Sequence, residues 1–485
     1  MDTHRQDLSR GFNWLGGAMV IAKVTDFATI LVVLTFLTKR QVGLAALVVA
    51  VGTVIEALDG LGTGAALVQA RSLSPLQLGS VFWFVIGAAL SAAGMTMLAA
   101  PSLAALYGLH LTPYFLPVAL KQPIVAAAVI PLALMSRELQ YERIAVVNVC
   151  STLGAAVTRV GLAALGAGAW AIIIANAAGG LYTLIGASLA RPFRPAVRFS
   201  MPAIAPLIRF GLRAATSTLF EQSFNNVDYL LVGWFYGPAP LALYRVAFEI
   251  GMQPALAAGT LINRAALPVF ARVSAVREHL RQSLTWSLRR LAVVVAPLAT
   301  ATLLAAGPIT ALIHDGEGHS YAAAAVPLRL LAAAALVRVL SQLLYPLALG
   351  SGHPKTALHL SAVTLLMLCS GMLIAGFGFP AATGIAAIAA VWLIVYPLLL
   401  VWEAGYVRRR WEIPLAELAR TVLPPFVAAL ALAAVVTITR LVLGAVAAGL
   451  QVAVVAAAAA LTYAGLYLEA RLRRERLDGR IGARH

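Results

Sequence analysis

The feature that most constrains this chain is a rhythm of long apolar stretches, separated by short polar gaps that alternate in charge. Fourteen stretches can be drawn, near 12–38, 43–69, 77–106, 114–136, 144–167, 169–190, 210–236, 240–268, 285–313, 321–349, 356–379, 383–404, 420–441 and 445–468. An α-helix needs roughly 20 apolar residues to cross a bilayer core, and each stretch reaches that length. Little chain is left for a water-soluble domain. The sequence therefore predicts an all-α polytopic membrane protein with about 14 transmembrane helices.

The charge alternation orients the spans. Every second gap is basic: Arg71, then Arg137 and Arg143, then Arg191, Arg194 and Arg198, then Arg272, Arg277 and Arg281. The series continues with Lys355, with Arg408, Arg409 and Arg410, and with a tail holding Arg471, Arg473, Arg474, Arg476, Arg480 and Arg484. The intervening gaps hold few cations beyond Lys39, Arg40 and Arg440, and one of them carries Asp315 and Glu317. Short loops rich in Lys and Arg stay in the cytoplasm, so an even number of spans places both termini there.

A net charge of +17 would suit a nucleic-acid partner, but the chain is 61% hydrophobic and only 11% charged, and no basic domain stands apart from the spans. No nucleic-acid partner is expected; the dispersed cations face anionic lipid headgroups instead. Cys150 and Cys369 lie in apolar stretches without metal-like spacing. The first stretch contains Lys23 and Asp26 and lacks a small-residue cleavage site, so it reads as a retained helix rather than a signal peptide.

The longest basic gap, 191–209, is dense in proline (Pro192, Pro195, Pro202, Pro206) and reads as a stiff cytoplasmic linker. It divides an N-terminal lobe, 1–190 with spans 1–6, from a C-terminal lobe, 210–404 with spans 7–12. An additional span pair occupies 405–470, and 471–485 is a basic cytoplasmic tail. A shift of 199 residues brings Arg10 onto Arg209, Leu31 onto Leu230, Phe36 onto Phe235 and Gly60 onto Gly259. Two pseudo-symmetric six-helix lobes plus a C-terminal pair is a transporter-like plan. The gap 408–420, with Trp411 and Pro414, suits either a short interfacial helix or an anchored loop.

Roughly a dozen ionisable residues fall inside the stretches, and facing lipid at roughly 2.5–3.5 kcal/mol each they would cost about 30–40 kcal/mol. They must face water or one another. Ser217, Thr218, Glu221, Asn225 and Asp228 share an arc of about 100° in the seventh stretch. Arg245, Glu249, Gln253, Thr260 and Arg264 do so in the eighth, Asn148, Thr152 and Arg159 in the fifth, and Arg338, Ser341, Gln342 and Tyr345 in the tenth. Lys23 and Asp26, and Glu56 and Asp59, are pairs three residues apart and share a helix side. Local pairs such as Lys23 with Asp26 or Arg245 with Glu249 would hold helices together, whereas stripes in both halves point to a wet central cavity.

Gly60, Gly62 and Gly64 imitate a nucleotide-binding turn, but no strand precedes them, so they read as close helix packing. His314, Asp315, Glu317 and His319 crowd a glycine-containing external turn and read as a polar turn rather than a metal site. There is no nucleophile with a plausible base, and no cofactor or catalytic residue is expected.

Two blocks carry a resemblance. The first is Val42-Gly43-Leu44, Glu56 through Gln69, Arg71 and Ser74-Pro75-Leu76-Gln77-Leu78. The second is Asn226-Val227-Asp228-Tyr229-Leu230-Leu231-Val232-Gly233, Tyr236-Gly237, Ala242-Leu243-Tyr244, Ala247, Pro254 and Leu267-Pro268-Val269-Phe270. Together they resemble the polysaccharide transporter (Wzx-type flippase) branch of the multidrug/oligosaccharidyl-lipid/polysaccharide exporter superfamily, over roughly residues 5–400. Relatives often carry an arginine just before the Asn-x-Asp element, where this chain has Asn225.

The resemblance implies a V-shaped cavity, alternating access and a bacterial inner-membrane location. It also implies a substrate of undecaprenyl-diphosphate-linked oligosaccharide, an O-antigen or exopolysaccharide repeat unit, with the pathway's polymerase and glycosyltransferases as partners. Arginine matches phosphate oxygens in a bidentate way. Lys23, Arg159, Arg245, Arg264 and Arg338 are thus the candidate diphosphate-binding cations, and Asp26, Glu56, Glu221, Asp228 and Glu249 the candidate cavity and coupling acids. A drug or metabolite antiporter of the same superfamily would favour an acid-dominated cavity. A membrane-embedded polysaccharide polymerase or ligase would need a sizeable external catalytic loop, and none is present in the gaps.

Overall fold

Two short polar motifs show how the long helices begin. Thr38 accepts a hydrogen bond from the Gln41 backbone N–H (3.3 Å), and the Gln41 side chain accepts one from the Thr38 N–H (3.0 Å). Ser74 and Gln77 repeat the arrangement, with Pro75 at the first helical position. These reciprocal caps satisfy N–H groups that the first helical turn leaves free.

The structure, a computed structural model, describes residues 2–482 except 58, 71, 275, 352–353 and 444–447. Side chains are not described at 2–13, 59, 213, 214, 217, 264, 265, 268, 349, 350, 354, 355, 357, 358, 415, 439–443 and 466–482, so those of Asp59 and Arg264 lie outside the described residues. The helices are α1 (Asp2–Leu34), α2 (Lys39–Glu56), α3 (Thr63–Gln69), α4 (Pro75–Tyr107), α5 (Phe115–Arg137), α6 (Tyr141–Ala164), α7 (Ala169–Ala190) and α8 (Met201–Tyr236). They continue as α9 (Pro238–Gly251), α10 (Gln253–Val273), α11 (Arg277–Leu312), α12 (Ala325–Ser341), α13 (Leu344–Gly350), α14 (Pro354–Gly378), α15 (Ala381–Trp411), α16 (Leu415–Leu443) and α17 (Ala448–Gly482).

Twelve helices among the described residues are long and apolar enough to cross a membrane, against about 14 expected. The two stretches outside that set, 210–236 and 240–268, are helical but carry the polar stripes. Gln222, Asn225, Asn226 and Asp228 dilute the apolar content of α8, and the second stretch is broken at Met252 between α9 and α10.

Packing divides the chain into two compact units, residues 1–242 with 315–319, and residues 243–314 with 320–485. In the first, α6 packs against α1 and α7, α5 against α4 and α7, and α8 against α2, α3 and α4. The proline-rich 191–200 segment is non-helical and is strapped to α4. The Trp83 indole donates to the Ala196 carbonyl (3.0 Å), and the Ser200 N–H donates to Ser80 Oγ (2.9 Å). In the second unit α11 packs against α10, α12, α16 and α17, and α15 against α12 and α14. The C-terminal pair is seated through an apolar core of Ala305, Leu432, Val436 and Val455.

The second expected stretch is not one continuous helix. Between α2 and α3, Gly60 (φ 68°), Leu61 (φ 46°) and Gly62 (φ 65°) adopt left-handed conformations. That backbone favours glycine, because a Cβ clashes there. The close packing read into these glycines is also present. A Cβ on Gly62 would stand 2.1 Å from the Gly211 carbonyl oxygen, so the unwound turn lies directly on α8. No separate interfacial helix forms at 408–420: α15 runs to Trp411, and α16 starts at Leu415. Arg277 pairs with Glu412, and Arg281 reaches Glu417 at 2.6 Å, fixing that corner.

Candidate functional site

In the first unit the embedded charges meet by helix approach. A Cβ on Gly52 would lie 2.9 Å from Val118, and one on Gly180 would lie 3.3 Å from the Lys121 side chain. Bare backbone at these points lets α2 and α7 close on α5. Lys121 then lies between them, only 9% exposed. Its Nζ donates to Glu56 Oε1 (2.9 Å), Glu56 Oε2 (2.8 Å) and Asn176 Oδ1 (2.8 Å). An ammonium has three donors, and all three are used. The next residue, Gln122, is fully buried and donates its amide to Thr96 Oγ1 on α4 (3.0 Å).

A second charge pair joins α6 to α1. Arg159 Nη1 lies 3.9 Å from Asp26 Oδ1, a long ion pair whose arginine side chain is 17% exposed and whose aspartate is 51% exposed. Asp26 thus pairs with Arg159 across the helices; Lys23, on the same helix, is exposed and makes no ion pair among the described residues. Elsewhere the α6–α7 interface is held by hydroxyls: Ser151 donates to the Gly179 carbonyl (2.7 Å), and Thr158 meets the Tyr182 hydroxyl (2.8 Å). On α8, Glu221 is exposed, whereas Asp228 is fully buried and accepts from the Tyr229 N–H (2.9 Å).

The second unit holds its central cation differently. Arg338, on α12, is 1% exposed, and its guanidinium carbon lies 4.4 Å from the Trp392 ring centre and 5.7 Å from that of Tyr396. Trp392 and Tyr396, one turn apart on α15, stack at 4° with 5.8 Å between centroids. The Trp392 N–H donates to the Tyr244 hydroxyl (2.9 Å), and Phe248 packs edge-on to Trp392, so α9 closes the cage. Met252 Sδ accepts from Arg338 Nη1 at 2.9 Å. One turn beyond Arg338, Ser341 meets Glu403 of α15, at 2.7 Å from Oε1 and 2.6 Å from Oε2. Arg245 and Glu249 are partly buried on α9.

The 314–319 turn is organised by Asp315, 5% exposed, which accepts from the N–H groups of His319 (2.8 Å) and Glu317 (3.1 Å) and lies 3.5 Å from Lys39 Nζ. Burial pushes its carboxyl up, but the His319 N–H, the Lys39 charge and the Glu317 N–H outweigh that and hold it below its ordinary value.

Of the residues singled out from sequence, the structure brings together Asp26 with Arg159, and it brings Glu56 onto a cation the stripes had not flagged. Lys121, Asn176 and Glu403 were missed. The signal that finds two of them is solitude: Lys121 is the one charged residue in 114–136, and Glu403 the one in 383–404. An isolated charge in an otherwise apolar span needs a partner from another helix.

Comparison with known proteins now defines the class. The family model of the polysaccharide biosynthesis proteins matches residues 32–319, more than half the chain. The chain belongs to that family, and the expectation from the two sequence blocks is borne out. Lipopolysaccharide biosynthesis protein WzxC of Escherichia coli K12 is 21% identical over 65% of this chain and 65% of its own length. Succinoglycan biosynthesis transport protein ExoT of Rhizobium meliloti is 25% identical over 61% of this chain and 60% of its own. The chain thus spans just under two thirds of these relatives.

Among solved structures, the lipid II flippase MurJ in an inward closed conformation superposes with a TM-score of 0.74 at 11% identity, covering 95% of this chain and 98% of that one. An inward-facing multidrug MATE transporter reaches 0.66 at 14% identity, over 81% and 95% of the two chains. At that identity the likeness establishes the fold, that of multi-pass helical membrane proteins.

Proposed function

We propose that this protein moves undecaprenyl-diphosphate-linked oligosaccharide from the cytoplasmic to the periplasmic leaflet of a bacterial inner membrane by alternating access. The observation that carries the reading is the family match across residues 32–319, whose relatives are named for lipopolysaccharide biosynthesis and for succinoglycan transport. Embedded cations support it, since a diphosphate entering a low-dielectric core needs its charge offset.

In this reading residues 1–190 and 210–404 form the two lobes, 191–209 links them, and both termini are cytoplasmic, as the arginine-rich gaps suggest. The polar stripes of α8, α9 and α10 face water rather than lipid. Arg159, Arg245, Arg264, Arg338 and Lys23 form the pool of anion-binding groups, with Asp26, Glu56, Glu221, Asp228 and Glu249 as the cavity and coupling acids. Arg159 leads, because its contact with Asp26 is long and that carboxylate is half exposed, so phosphate oxygens can take the aspartate's place.

The test is translocation of lipid-linked oligosaccharide by Arg159→Ala and Arg159→Lys in proteoliposomes. The alanine variant should lose at least tenfold in flux at unchanged protein level, and lysine should restore only part, because it keeps the charge but not the planar fork. Normal flux from the alanine variant would remove Arg159 from the substrate path.

A further inference from the structure

Glu403 is the buried ionisable group that the transport reading leaves without a task. It sits on α15, seven residues after Tyr396 and five before Arg408, and is 6% exposed. Among the described residues its carboxyl group has one hydrogen-bonding neighbour, the Ser341 hydroxyl on α12, at 2.7 Å and 2.6 Å from its two oxygens. No ion pair to Glu403 exists among the described residues.

The charged and titratable groups on the helices packed against α15 are accounted for. On α12, Arg329 is exposed, and Arg338 lies one turn from Ser341 and is turned onto the Trp392 and Tyr396 rings; on α9, Arg245 and Glu249 are partly buried. On α14, His359 is exposed, and the side chain of Lys355 lies outside the described residues. On α16, Glu417 is taken by Arg281, and Arg420 is exposed. On α15 itself, the Tyr406 hydroxyl pairs with Thr356, and Arg408, Arg409 and Arg410 are exposed.

A bare carboxylate in this setting would carry a desolvation cost that one hydroxyl donor does not offset. The hydrogen-bond count leads to the same place. A serine hydroxyl has one hydrogen and two lone pairs, so it can donate to one carboxyl oxygen only. The second short contact is satisfied when the carboxyl bears its own proton and donates it to Oγ. Ser341 and Glu403 then form a reciprocal pair, a neutral acid serving as donor in an apolar site.

We infer that Glu403 is a proton-binding site of the second unit, loaded in this conformer and held by Ser341. The ligand is a proton taken from the cytoplasmic side, given the adjacent Arg408–Arg410 run, and its binding and release couple the pH difference to the transport cycle. This deepens the flippase reading and rests on it only for the transport arm.

The experiment is infrared spectroscopy of the full chain in lipid nanodiscs, comparing wild type with Glu403→Gln at neutral pH. Wild type should show one protonated-carboxyl C=O band that the variant lacks. Ser341→Ala should keep the band and move it to higher frequency, which also decides the matter if Glu403→Gln fails to fold. Absence of the band in wild type, or its persistence in Glu403→Gln, overturns the proposal. In proteoliposomes, Glu403→Gln should retain flux without an imposed pH difference and lose its stimulation by one; stimulation equal to wild type would refute coupling through this site. If wild type moves no lipid-linked oligosaccharide at all, the flippase reading fails, and the infrared band still decides whether Glu403 holds a proton.

Discussion

The two most enclosed cations among the described residues, Lys121 and Arg338, solve one problem with opposite chemistry. Lys121 is a compact, strongly hydrated charge, and it replaces lost water with three oxygen acceptors, two of them from a counter-ion. Arg338 is planar and weakly hydrated, and it exchanges water for the faces of Trp392 and Tyr396. The first arrangement is an ion pair that cannot lose one member cheaply. The second sets the charge against aromatic faces rather than carboxylate oxygens.

The largest expected effect breaks the first arrangement. Lys121→Met strands Glu56 in a mostly enclosed site and should destabilise the protein by about 3 kcal/mol, the scale for removing one partner of a buried pair. Adding Glu56→Gln should recover most of the loss, because the stranded charge is then gone. Thermal unfolding of the purified protein in nanodiscs reads both; a single variant as stable as wild type would show that the pair balances no buried charge.

A smaller effect should come from Arg338→Lys, which keeps the charge and removes the stacked plane. A cost of about 1–2 kcal/mol is expected, the scale for a desolvated cation–π contact. Trp392→Phe should cost about 1 kcal/mol by removing the hydrogen bond to Tyr244 while leaving a weaker face for the guanidinium. If Arg338→Lys costs as much as Lys121→Met, the contrast between the two sites collapses, and the aromatic faces are not what sets the cost at Arg338.

The same contrast explains what the sequence could and could not say. Helical periodicity places Arg338 and Ser341 on one face of a span, because both lie within a single turn. It also pairs a run of apolar stretches with alternating arginines, which is why the all-α membrane fold was legible. Periodicity carries no information about which helices are neighbours. Lys121 meets Glu56 and Asn176 at sequence separations of 65 and 55 residues, and Ser341 meets Glu403 at 62. The Lys121 meetings depend on close approach at Gly52 and Gly180, which a hydropathy reading treats as ordinary small residues. The break between α2 and α3 was hidden for a related reason: glycines that permit close packing also permit left-handed backbone, and composition does not distinguish the two uses.

Lys39 and Asp315 provide the water-facing end of the comparison, a lysine–carboxylate pair outside the membrane spans, at 3.5 Å. The Asp315 carboxyl is depressed in the fold despite its burial, through the N–H groups of His319 and Glu317 and the Lys39 charge. A group whose folded value lies below its unfolded one stabilises the fold at neutral pH, above an ordinary carboxyl value near 4, and loses that contribution as pH falls through the folded value. The expected contribution is about 1 kcal/mol or less, because the lysine remains partly solvated. Hydrogen exchange of the His319 and Glu317 amides, corrected for intrinsic rates, should therefore stay protected at neutral pH and lose protection only below pH of about 4. Asp315→Asn should show the acid-like exchange already at neutral pH, while leaving the stability deficit of Lys121→Met unchanged. Protection of these amides that ignores both acid and the asparagine substitution would mean that the turn is held by its backbone alone, including the Gly316 N–H donating to the Leu37 carbonyl (3.0 Å).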